Sequence, residues 1–471
     1  MNFKLTALVI FLLGNLALNT QAIALDISDS LKNGTASRLL KNSKNESARW
    51  TGVGLLTTTE GTCSATLIDT RAFGSKATGP AYLITSGHCI IKEIGTSKLN
   101  HTLDASVTFN YFNDTVKRHT TYKVRTANWT SMVGTDLAIL EVEKTLEQLM
   151  LEGIVPLKLA PLPPLGTHDV LNVGIPGTFP EQGLRMSACT QEISTTLSGV
   201  PPTFPGGFVN DCKDLAPGSS GSPILDRRTN KITSIVSENN YSFSPGFLLN
   251  CFSNGVFSNN TETCKLQNIN IAVDFRSLFK TTVRPTLDSA GYEVSPTWNY
   301  TFNIDTPYYR YKSVRDAMSC EKPDDYSGAI NSATGLINSS IGPEPRMHIL
   351  CIIGAHSKEQ KLTSALLKNV FTHSVHLAES APKPTFNLLT DGRTSITWAD
   401  SYPVFTSHFF HTGPADTTQC GDLGDERYKK AASVEVLPSH RPLKVCSYGQ
   451  NEAELQPSAI RFDLIRTPLL P

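Results

Sequence analysis

The feature that most constrains the fold of this chain is a dense series of short strand-like runs. Between residues 50 and 279, runs rich in β-branched and aromatic residues are separated by clusters of glycine, proline and asparagine. Short strands at this spacing are typical of a barrel or sandwich and not of alternating strands and helices. We therefore expect an all-β fold, with one amphipathic closing helix around residues 275–279. The strand-like runs are 64–68, 81–85, 105–111, 137–142, 169–173, 231–237 and 269–273.

The cysteine pattern indicates an oxidised protein. The chain has ten cysteines, an even number, and no C-x-x-C pair of the kind that metal and thiol redox sites usually need. Disulfides between sequence neighbours are the simplest interpretation, although sequence alone does not fix their connectivity. The predicted pairs are Cys63–Cys89, Cys189–Cys212, Cys251–Cys264, Cys320–Cys351 and Cys420–Cys446.

The N-terminus indicates export. Lys4 precedes an apolar run over residues 5–18, and Ala22 and Ala24 supply the small residues that a signal peptidase needs. The run is too short for a spanning helix, which needs roughly 20 apolar residues. We predict a signal peptide at 1–24, a polar leader at 25–48, and a secreted or periplasmic protein without a membrane span. Nine sequons, relevant if the host glycosylates, start at Asn33, Asn45, Asn100, Asn113, Asn128, Asn240, Asn259, Asn299 and Asn338.

Charge and histidine spacing argue against nucleic-acid and metal partners. Lysine plus arginine and aspartate plus glutamate number 42 each, so no net positive field exists for a phosphate backbone. His373 and His376, like His408 and His411, could share one face of a helix, but neither pair has a third ligand at suitable spacing. We predict no metal and no cofactor.

The C-terminal part of the chain contains an internal repeat. A cysteine, an acidic stretch with a tyrosine, an arginine, a strand-like run and a second cysteine recur about a hundred residues apart. With 471 residues the chain exceeds one core, so small additional domains are expected. We predict a linker over 280–296 and two β-sandwich modules of fibronectin or immunoglobulin type, module 1 (286–380) and module 2 (381–471).

Three segments carry the residue types of nucleophilic catalysis. Ser220 lies between Gly218 and Gly221, where glycine lets the amides of residues 218 and 220 point at one oxygen. The alternative for this segment alone is a plain turn. His88 ends an apolar strand beside Cys89 and suits a general base near pH 7. Asp136 starts another buried strand and could orient that imidazole.

Four sequence blocks, in order along the chain, resemble those of chymotrypsin-like serine proteases. They are residues 63–68, 85–89, 136–140 and 218–223. The resemblance implies two six-stranded antiparallel β-barrels over residues 49–285, with the active site between them. It also implies a serine endopeptidase that cleaves proteins or peptides through an acyl-enzyme, with His88, Asp136 and Ser220 as the triad and Gly218 and Ser220 as the oxyanion hole.

Departures from the digestive members bear on activation and specificity. Ser219 replaces the aspartate of zymogen activation, and the 218–223 block is closer to bacterial secreted relatives, including glutamyl endopeptidases. Asp214 occupies the position that selects lysine or arginine in trypsin-like members, so the resemblance implies a preference for these residues. Val236 replaces the histidine of glutamate-specific members. Ser237 is expected beside Asp136 on the strand that pairs with substrate, followed by an unusual Glu238.

Two other function classes remain as alternatives. A non-catalytic adhesive or binding protein on a protease scaffold would be favoured by loss of a triad residue, yet all three are present. An esterase usually has a Gly-x-Ser-x-Gly elbow on an α/β fold, and residues 218–221 lack that spacing. The C-terminal modules are expected to position the protease on an unknown surface or protein.

Overall fold

The computed structural model describes most of the chain after the N-terminal segment. The predicted signal peptide and the predicted helix around 275–279 lie outside the described residues. In the part that is described, no helix is long and apolar enough to cross a membrane. The described ranges are 30–73, 77–161, 166–194, 204–238, 240–259, 263–273, 282–289, 293–401, 405–453 and 456–466.

The first barrel consists of six antiparallel strands that follow a short N-terminal strand. The strands are β1 (Arg38–Leu39), β2 (Val53–Thr58), β3 (Gly61–Leu67), β4 (Pro80–Thr85), β5 (Thr96–Phe109), β6 (Thr120–Met132) and β7 (Asp136–Thr145). Their order around the barrel is β2-β3-β4-β7-β6-β5, and β2 pairs with β5 to close it. In β4, the apolar run 81–85 is buried throughout, as expected for a strand covered on both faces.

The second barrel is also closed and six-stranded. Its strands are β8 (His168–Gly174), β9 (Arg185–Ile193), β10 (Gly207–Asn210), β11 (Pro223–Asp226), β12 (Ile232–Val236) and β13 (Tyr241–Phe243). The order is β8-β9-β10-β13-β12-β11, closed by the pairing of β11 with β8. Two closed six-stranded antiparallel barrels confirm the predicted fold.

Part of the predicted leader is built into the second barrel. The short strand β1 pairs with β9. Leu31 and Leu40 are buried in the main hydrophobic core, and the Asp114 carboxylate accepts hydrogen bonds from the amides of Asn42 and Ser43. The polar composition of this segment suggested a separate leader, but its few leucines reach apolar partners that are distant in sequence.

Within the described residues, module 1 is built around one five-stranded sheet and one two-stranded hairpin. After a hairpin of β14 (Phe252–Ser253) and β15 (Val256–Phe257), the strands are β16 (Ile269–Val273), β17 (Thr282–Val283), β18 (Thr286–Leu287), β19 (Glu293–Val294), β20 (Tyr300–Ile304), β21 (Tyr308–Val314), β22 (Ile330–Asn331), β23 (Leu336–Ile337), β24 (Arg346–Ala355) and β25 (Phe371–Leu377). The order in its sheet is β17-β25-β24-β21-β22. The facing strands β20 and β23 instead continue the first barrel through β16, which pairs with β5 and β20.

This shared sheet alters the interpretation of residues 280–296. Prolines at 285 and 296 indicate a linker, yet β17 lies in this segment and pairs in parallel with β25. Val283 is buried in the same hydrophobic core as Ile271 of β16. The segment is therefore partly structural, because a single buried valine and two ladder residues attach it to module 1.

Module 2 is a two-sheet sandwich with its own core. Its strands are β26 (Thr385–Leu388), β27 (Thr394–Thr397), β28 (Ser407–Pro414), β29 (Lys429–Lys430), β30 (Ser433–Val436), β31 (Leu443–Asn451), β32 (Gln456–Pro457) and β33 (Arg461–Ile465). One sheet has the order β26-β27-β30, and the other has β29-β28-β31 with β32 and β33 also on β31. Its buried core contains Ile396, Trp398, Phe410, Val436, Leu443 and Val445.

Helices are few and short among the described residues. The helix α1 (Leu146–Leu151) begins at Thr145, whose hydroxyl accepts from the Gln148 amide while the Gln148 side chain accepts from the Thr145 amide. The 3₁₀ turns are Ala48–Trp50, Thr70–Phe73, Gly87–Cys89, Asn113–Arg118, Gly246–Cys251, Ala317–Glu321, Ser332–Thr334, Leu366–Asn369 and Pro438–His440.

Five disulfides join the same sequence neighbours that the cysteine spacing predicted. They are Cys63–Cys89, Cys189–Cys212, Cys251–Cys264, Cys320–Cys351 and Cys420–Cys446.

Candidate active site

His88 and Asp136 meet at the open end of the first barrel. His88 lies in the turn Gly87–Cys89 directly after β4, and the Cys63–Cys89 disulfide ties that turn to β3. The Nδ1 atom of His88 lies 2.7 Å from Oδ2 of Asp136, and the His88 amide donates to Oδ1 at 2.7 Å. Two contacts to one carboxylate therefore hold both the ring and the backbone of His88.

Glycine is required at position 87 for this approach. A Cβ there would overlap the Ser131 carbonyl oxygen and would lie 3.1 Å from Oδ1 of Asp136. The close contact between the histidine turn and the end of β6 thus depends on the missing side chain.

Asp136 remains charged in spite of its burial. Asp136 is the first residue of β7, and it is almost completely buried. Burial acts to raise its pKa, but attraction to His88 and the hydrogen bonds from His88 and the Ser237 hydroxyl outweigh burial and lower the pKa.

The pKa of His88 is raised above its ordinary value. Burial acts to lower it, but the charge of Asp136 and the hydrogen bond to Asp136 outweigh that effect. Glu238 raises it further through its charge, and Lys92 acts in the opposite direction.

Ser220 lies in a loop that β3 of the first barrel holds in place. The Ser64 amide donates to the Ser220 carbonyl at 2.8 Å, and the Ser64 hydroxyl donates to the Gly218 carbonyl at 2.9 Å. Gly221 has a φ of +83°, and a Cβ on it would overlap the Ser64 carbonyl oxygen. Glycine at 221 therefore allows the two barrels to meet beside Ser220.

The hydroxyl of Ser220 donates to the Ser237 carbonyl at 3.1 Å. Ser237 also donates its own hydroxyl to Asp136, so it touches both residues. His88 and Ser220 line the same cavity. The three predicted catalytic side chains thus meet at one cleft, with the serine hydroxyl turned to Ser237 in this structure.

The amides predicted to form the oxyanion hole differ from their neighbours in hydrogen bonding. The amides of Ser219, Gly221 and Ser222 donate to backbone carbonyls. Those of Gly218 and Ser220 donate to no acceptor in the described ranges of the chain.

The cavity beside Ser220 has a volume of about 280 Å³. It lies at the turn between β12 and β13, where the Tyr241 amide donates to the Glu238 carbonyl at 2.8 Å. From the sequence, Glu238 is recognisable only as an unusual residue. Its position next to Ser237 is what could have identified it as a residue of the site. The lining residues are His88, Met132, Asp136, Phe204, Ser220, Ser237, Glu238, Tyr241 and Phe243.

Asp214 is not brought to this cavity. Its Oδ2 atom accepts hydrogen bonds from the Ser37 amide at 2.6 Å and from the Ser37 hydroxyl at 2.8 Å. Asp214 was expected at the bottom of a specificity pocket, but it binds the segment that precedes β1. Sequence reasoning missed this because Ser37 lies 177 positions away.

One group of potential metal ligands coincides with the site. The side chains of Cys63, His88 and Cys89 lie close together, but the two sulfurs are bonded to each other and supply no thiolate. The two histidine pairs lie on strands β25 and β28 and not on helices. In module 2, His408 lies 3.1 Å from the Asp400 carboxylate, and His411 lies 3.4 Å from a carbonyl.

Comparison with known proteins finds a recognised domain in the segment that contains His88, Asp136 and Ser220. Residues 63–235 match the trypsin-like peptidase domain. No curated protein has a significantly similar sequence. Among solved structures, thermostable serine protease AL20 from an extremophilic microorganism is 18% identical, with 42% of this chain and 92% of that chain covered and a TM-score of 0.31.

Two further solved structures have similar coverage. A Glu endopeptidase is 13% identical, with 45% of this chain and 90% of that chain covered and a TM-score of 0.32. A mutant of human heparin-binding protein is 11% identical, with 45% and 91% covered and a TM-score of 0.30.

Proposed function

We propose that the chain is a serine endopeptidase in which His88, Asp136 and Ser220 catalyse peptide hydrolysis, since residues 63–235 match the trypsin-like peptidase domain. The observation that carries this proposal is the 2.7 Å contact between His88 Nδ1 and Asp136 Oδ2 at a cavity that Ser220 also lines. That contact leaves Nε2 of His88 as the ring atom able to take a proton from a serine hydroxyl.

The reaction proceeds in two displacements. The Ser220 hydroxyl turns from the Ser237 carbonyl to His88 Nε2, passes its proton there, and attacks the scissile carbonyl carbon. His88 then gives this proton to the departing amine, which leaves an acyl-enzyme on Ser220. A water molecule loses a proton to His88 and attacks the ester carbonyl, and His88 returns the proton to Ser220.

Two groups stabilise charge during these steps. The amides of Gly218 and Ser220, which have no acceptor in the described residues, donate to the oxyanion. Asp136 stabilises the imidazolium that forms on His88 and keeps the proton of the neutral ring on Nδ1.

For specificity we propose that Glu238, and not Asp214, gives a preference for lysine or arginine side chains. Glu238 lines the cavity together with the rings of Phe204, Tyr241 and Phe243. Aromatic rings suit the aliphatic stem of a basic side chain, and a carboxylate suits its charged end. Asp214 already accepts two hydrogen bonds from Ser37.

A peptide library tests this specificity in matched variants. We expect Glu238→Gln to lower kcat/KM for peptides with lysine or arginine by about tenfold, the size of one lost charge-assisted contact, and to leave uncharged peptides nearly unchanged. Asp214→Asn, the control, should keep the wild-type preference. A preference that follows Asp214, or no preference for basic residues, would contradict the proposal.

We also propose an oxidising location, extracellular or periplasmic. Five disulfides and a predicted signal peptide support it, since such bonds persist mainly in exported proteins. N-terminal sequencing of protein recovered from culture medium or periplasm would test it.

The activity itself is tested by covalent labelling. We expect the purified protein to react with a fluorophosphonate probe and to cleave a denatured protein mixture, and Ser220→Ala to abolish both. Ser219→Ala, which changes the neighbouring hydroxyl, serves as the control and should still be labelled. A folded wild-type protein that is neither labelled nor active would instead favour a non-catalytic binding protein on this scaffold.

A further inference from the structure

A three-residue loop determines where Asp136 lies. Residues 133–135 connect β6 to β7, and Met132 pairs with Asp136 across the ladder. Within the loop, the Ser131 hydroxyl donates to the Val133 carbonyl at 2.6 Å. The position of this loop therefore fixes where the chain enters β7 at Asp136.

Module 1 packs against this loop through its backbone. Gly134 has a φ of +73°, and a Cβ on it would overlap the Lys368 carbonyl oxygen and lie 3.0 Å from the Val370 amide nitrogen. Two segments more than 230 positions apart thus meet backbone to backbone, two residues before Asp136.

The neighbouring Val133 belongs to the core of module 1. It is 1% exposed and lies in one hydrophobic cluster with Trp298, Tyr300 and Phe302. The loop before Asp136 is therefore buried in a core that the protease domain does not complete by itself.

Module 1 also contacts the segment that follows the cavity residue Phe204. The Lys368 ammonium pairs with the Glu321 carboxylate and lies 5.6 Å from the ring centroid of Phe247. A Cβ on Gly206 would lie 2.9 Å from Oε1 of Glu321. Gly206 is two residues after Phe204, which lines the cavity.

We infer that module 1 is a positioning element of the active site, in which the segment 366–370 holds the loop before Asp136. Glu321, paired with Lys368, also packs on Gly206, two residues after the cavity residue Phe204. This inference rests on the proposed function of His88, Asp136 and Ser220. Residues 366–370 do not touch the reacting atoms. They act through Asp136.

The test compares two glycine-to-alanine variants in the full-length protein. Gly134→Ala forces the Lys368 backbone away. Gly166 has nearly the same φ, +74°, but a Cβ on it would meet nothing within 4 Å, so Gly166→Ala imposes similar backbone strain without the module contact. Val133→Ala is a milder third variant that removes apolar contact without steric conflict.

For Gly134→Ala we expect kcat to fall by about 10- to 100-fold, as for a small misplacement of a catalytic group, with KM for a short peptide little changed. The imidazole titration of His88, followed by NMR, should move to lower pH because the Asp136 contact weakens. The other charged groups that act on His88, Lys92 and Glu238, are unaltered. Val133→Ala should change both readouts in the same direction, and Gly166→Ala should leave both at wild-type values.

The inference is overturned if Gly134→Ala and Val133→Ala retain the wild-type kcat and the wild-type His88 titration, or if Gly166→Ala changes them equally. The NMR readout needs no turnover. An inactive wild-type protein whose His88 titration still responds to Gly134→Ala would therefore refute the proposed function and leave the positioning role standing.

Discussion

The two C-terminal modules are built from the same local parts but are joined to the protein differently. In module 1 the Tyr326 hydroxyl donates to the Cys320 carbonyl at 2.7 Å, and in module 2 the Tyr428 hydroxyl donates to the Cys420 carbonyl at 2.9 Å. In each module that cysteine is bonded to a cysteine on a central strand, β24 or β31.

The resemblance extends to the side chain that faces the tyrosine. The Lys312 ammonium lies 4.5 Å from the Tyr326 ring centroid, and the His411 ring lies 4.7 Å from that of Tyr428. Each of these residues is opposite the strand cysteine in the antiparallel ladder. In both modules, therefore, the tyrosine lies between the carbonyl of the first cysteine and a basic side chain, Lys312 in module 1 and His411 in module 2.

The difference lies in what covers this arrangement. Module 2 closes its core with its own second sheet, whereas module 1 uses β20 and β23, which continue the first barrel through β16. The same local unit can therefore have a core of its own or share a core with the first barrel. What decides between them is the sheet that covers the unit.

Substitution of one core tryptophan in each module should give the largest difference between the two modules. Trp298 and Trp398 are 4% and 3% exposed in the cores of modules 1 and 2. We expect either change to alanine to cost about 3–5 kcal/mol of local stability. Only Trp298→Ala should lower the temperature at which fluorophosphonate labelling is lost. Equal loss of labelling in both variants would contradict the comparison.

Removal of each module's disulfide should have the next largest effect. The bridged residues are 31 and 26 positions apart, which corresponds to about 3–4 kcal/mol in the loop-entropy account. We expect the double serine variant of Cys320 and Cys351 to lose peptidase activity on mild heating, and that of Cys420 and Cys446 to keep it. The measurement is the residual peptidase activity of both variants after incubation at a series of temperatures. Equal losses in the two variants would contradict the prediction.

Removal of the tyrosine hydroxyls should give two small and nearly equal effects. Tyr326→Phe and Tyr428→Phe each remove one hydrogen bond to a cysteine carbonyl, worth about 1 kcal/mol. Chemical denaturation monitored by fluorescence should therefore show similar losses in both modules. A loss of stability in only one module would mean that the tyrosine hydrogen bond does not stabilise the two modules equally.

The smallest expected effect concerns pH. Activity needs neutral His88, so it falls as pH decreases through the raised pKa of that residue. Glu238→Gln removes a negative charge that raises the pKa of His88, so the acid limb of kcat/KM should move to lower pH. Asp400→Asn in module 2 is the control and should not move it. A shift towards higher pH in Glu238→Gln would contradict this assignment.

The local surroundings of the proposed site could be read from short sequence motifs. His88 follows its strand directly and Asp136 begins another, so their surroundings could be recognised in a few residues. The disulfide partners lie within 31 positions of each other, which allowed neighbours to be paired. Local chain geometry carries such information.

Long-range features were not predictable in the same way. The sequence near Asp214 does not indicate that Ser37 will donate hydrogen bonds to its carboxylate. The sequence near Gly134 does not indicate that the backbone of Lys368 will pack against it. The run 269–273 was recognised as a strand, but its double pairing with β5 and β20 was not. Such pairings depend on which surfaces remain uncovered after the barrels close.

The sequence by itself determined the strand-rich fold, the cysteine partners and the residue types of the proposed triad, because each depends on spacing within one segment. The tertiary structure alone decided that Glu238 and not Asp214 reaches the cavity, and that module 1 completes the core beside Asp136. Burial of apolar area and satisfaction of polar groups act between distant segments, so these outcomes are properties of the folded chain.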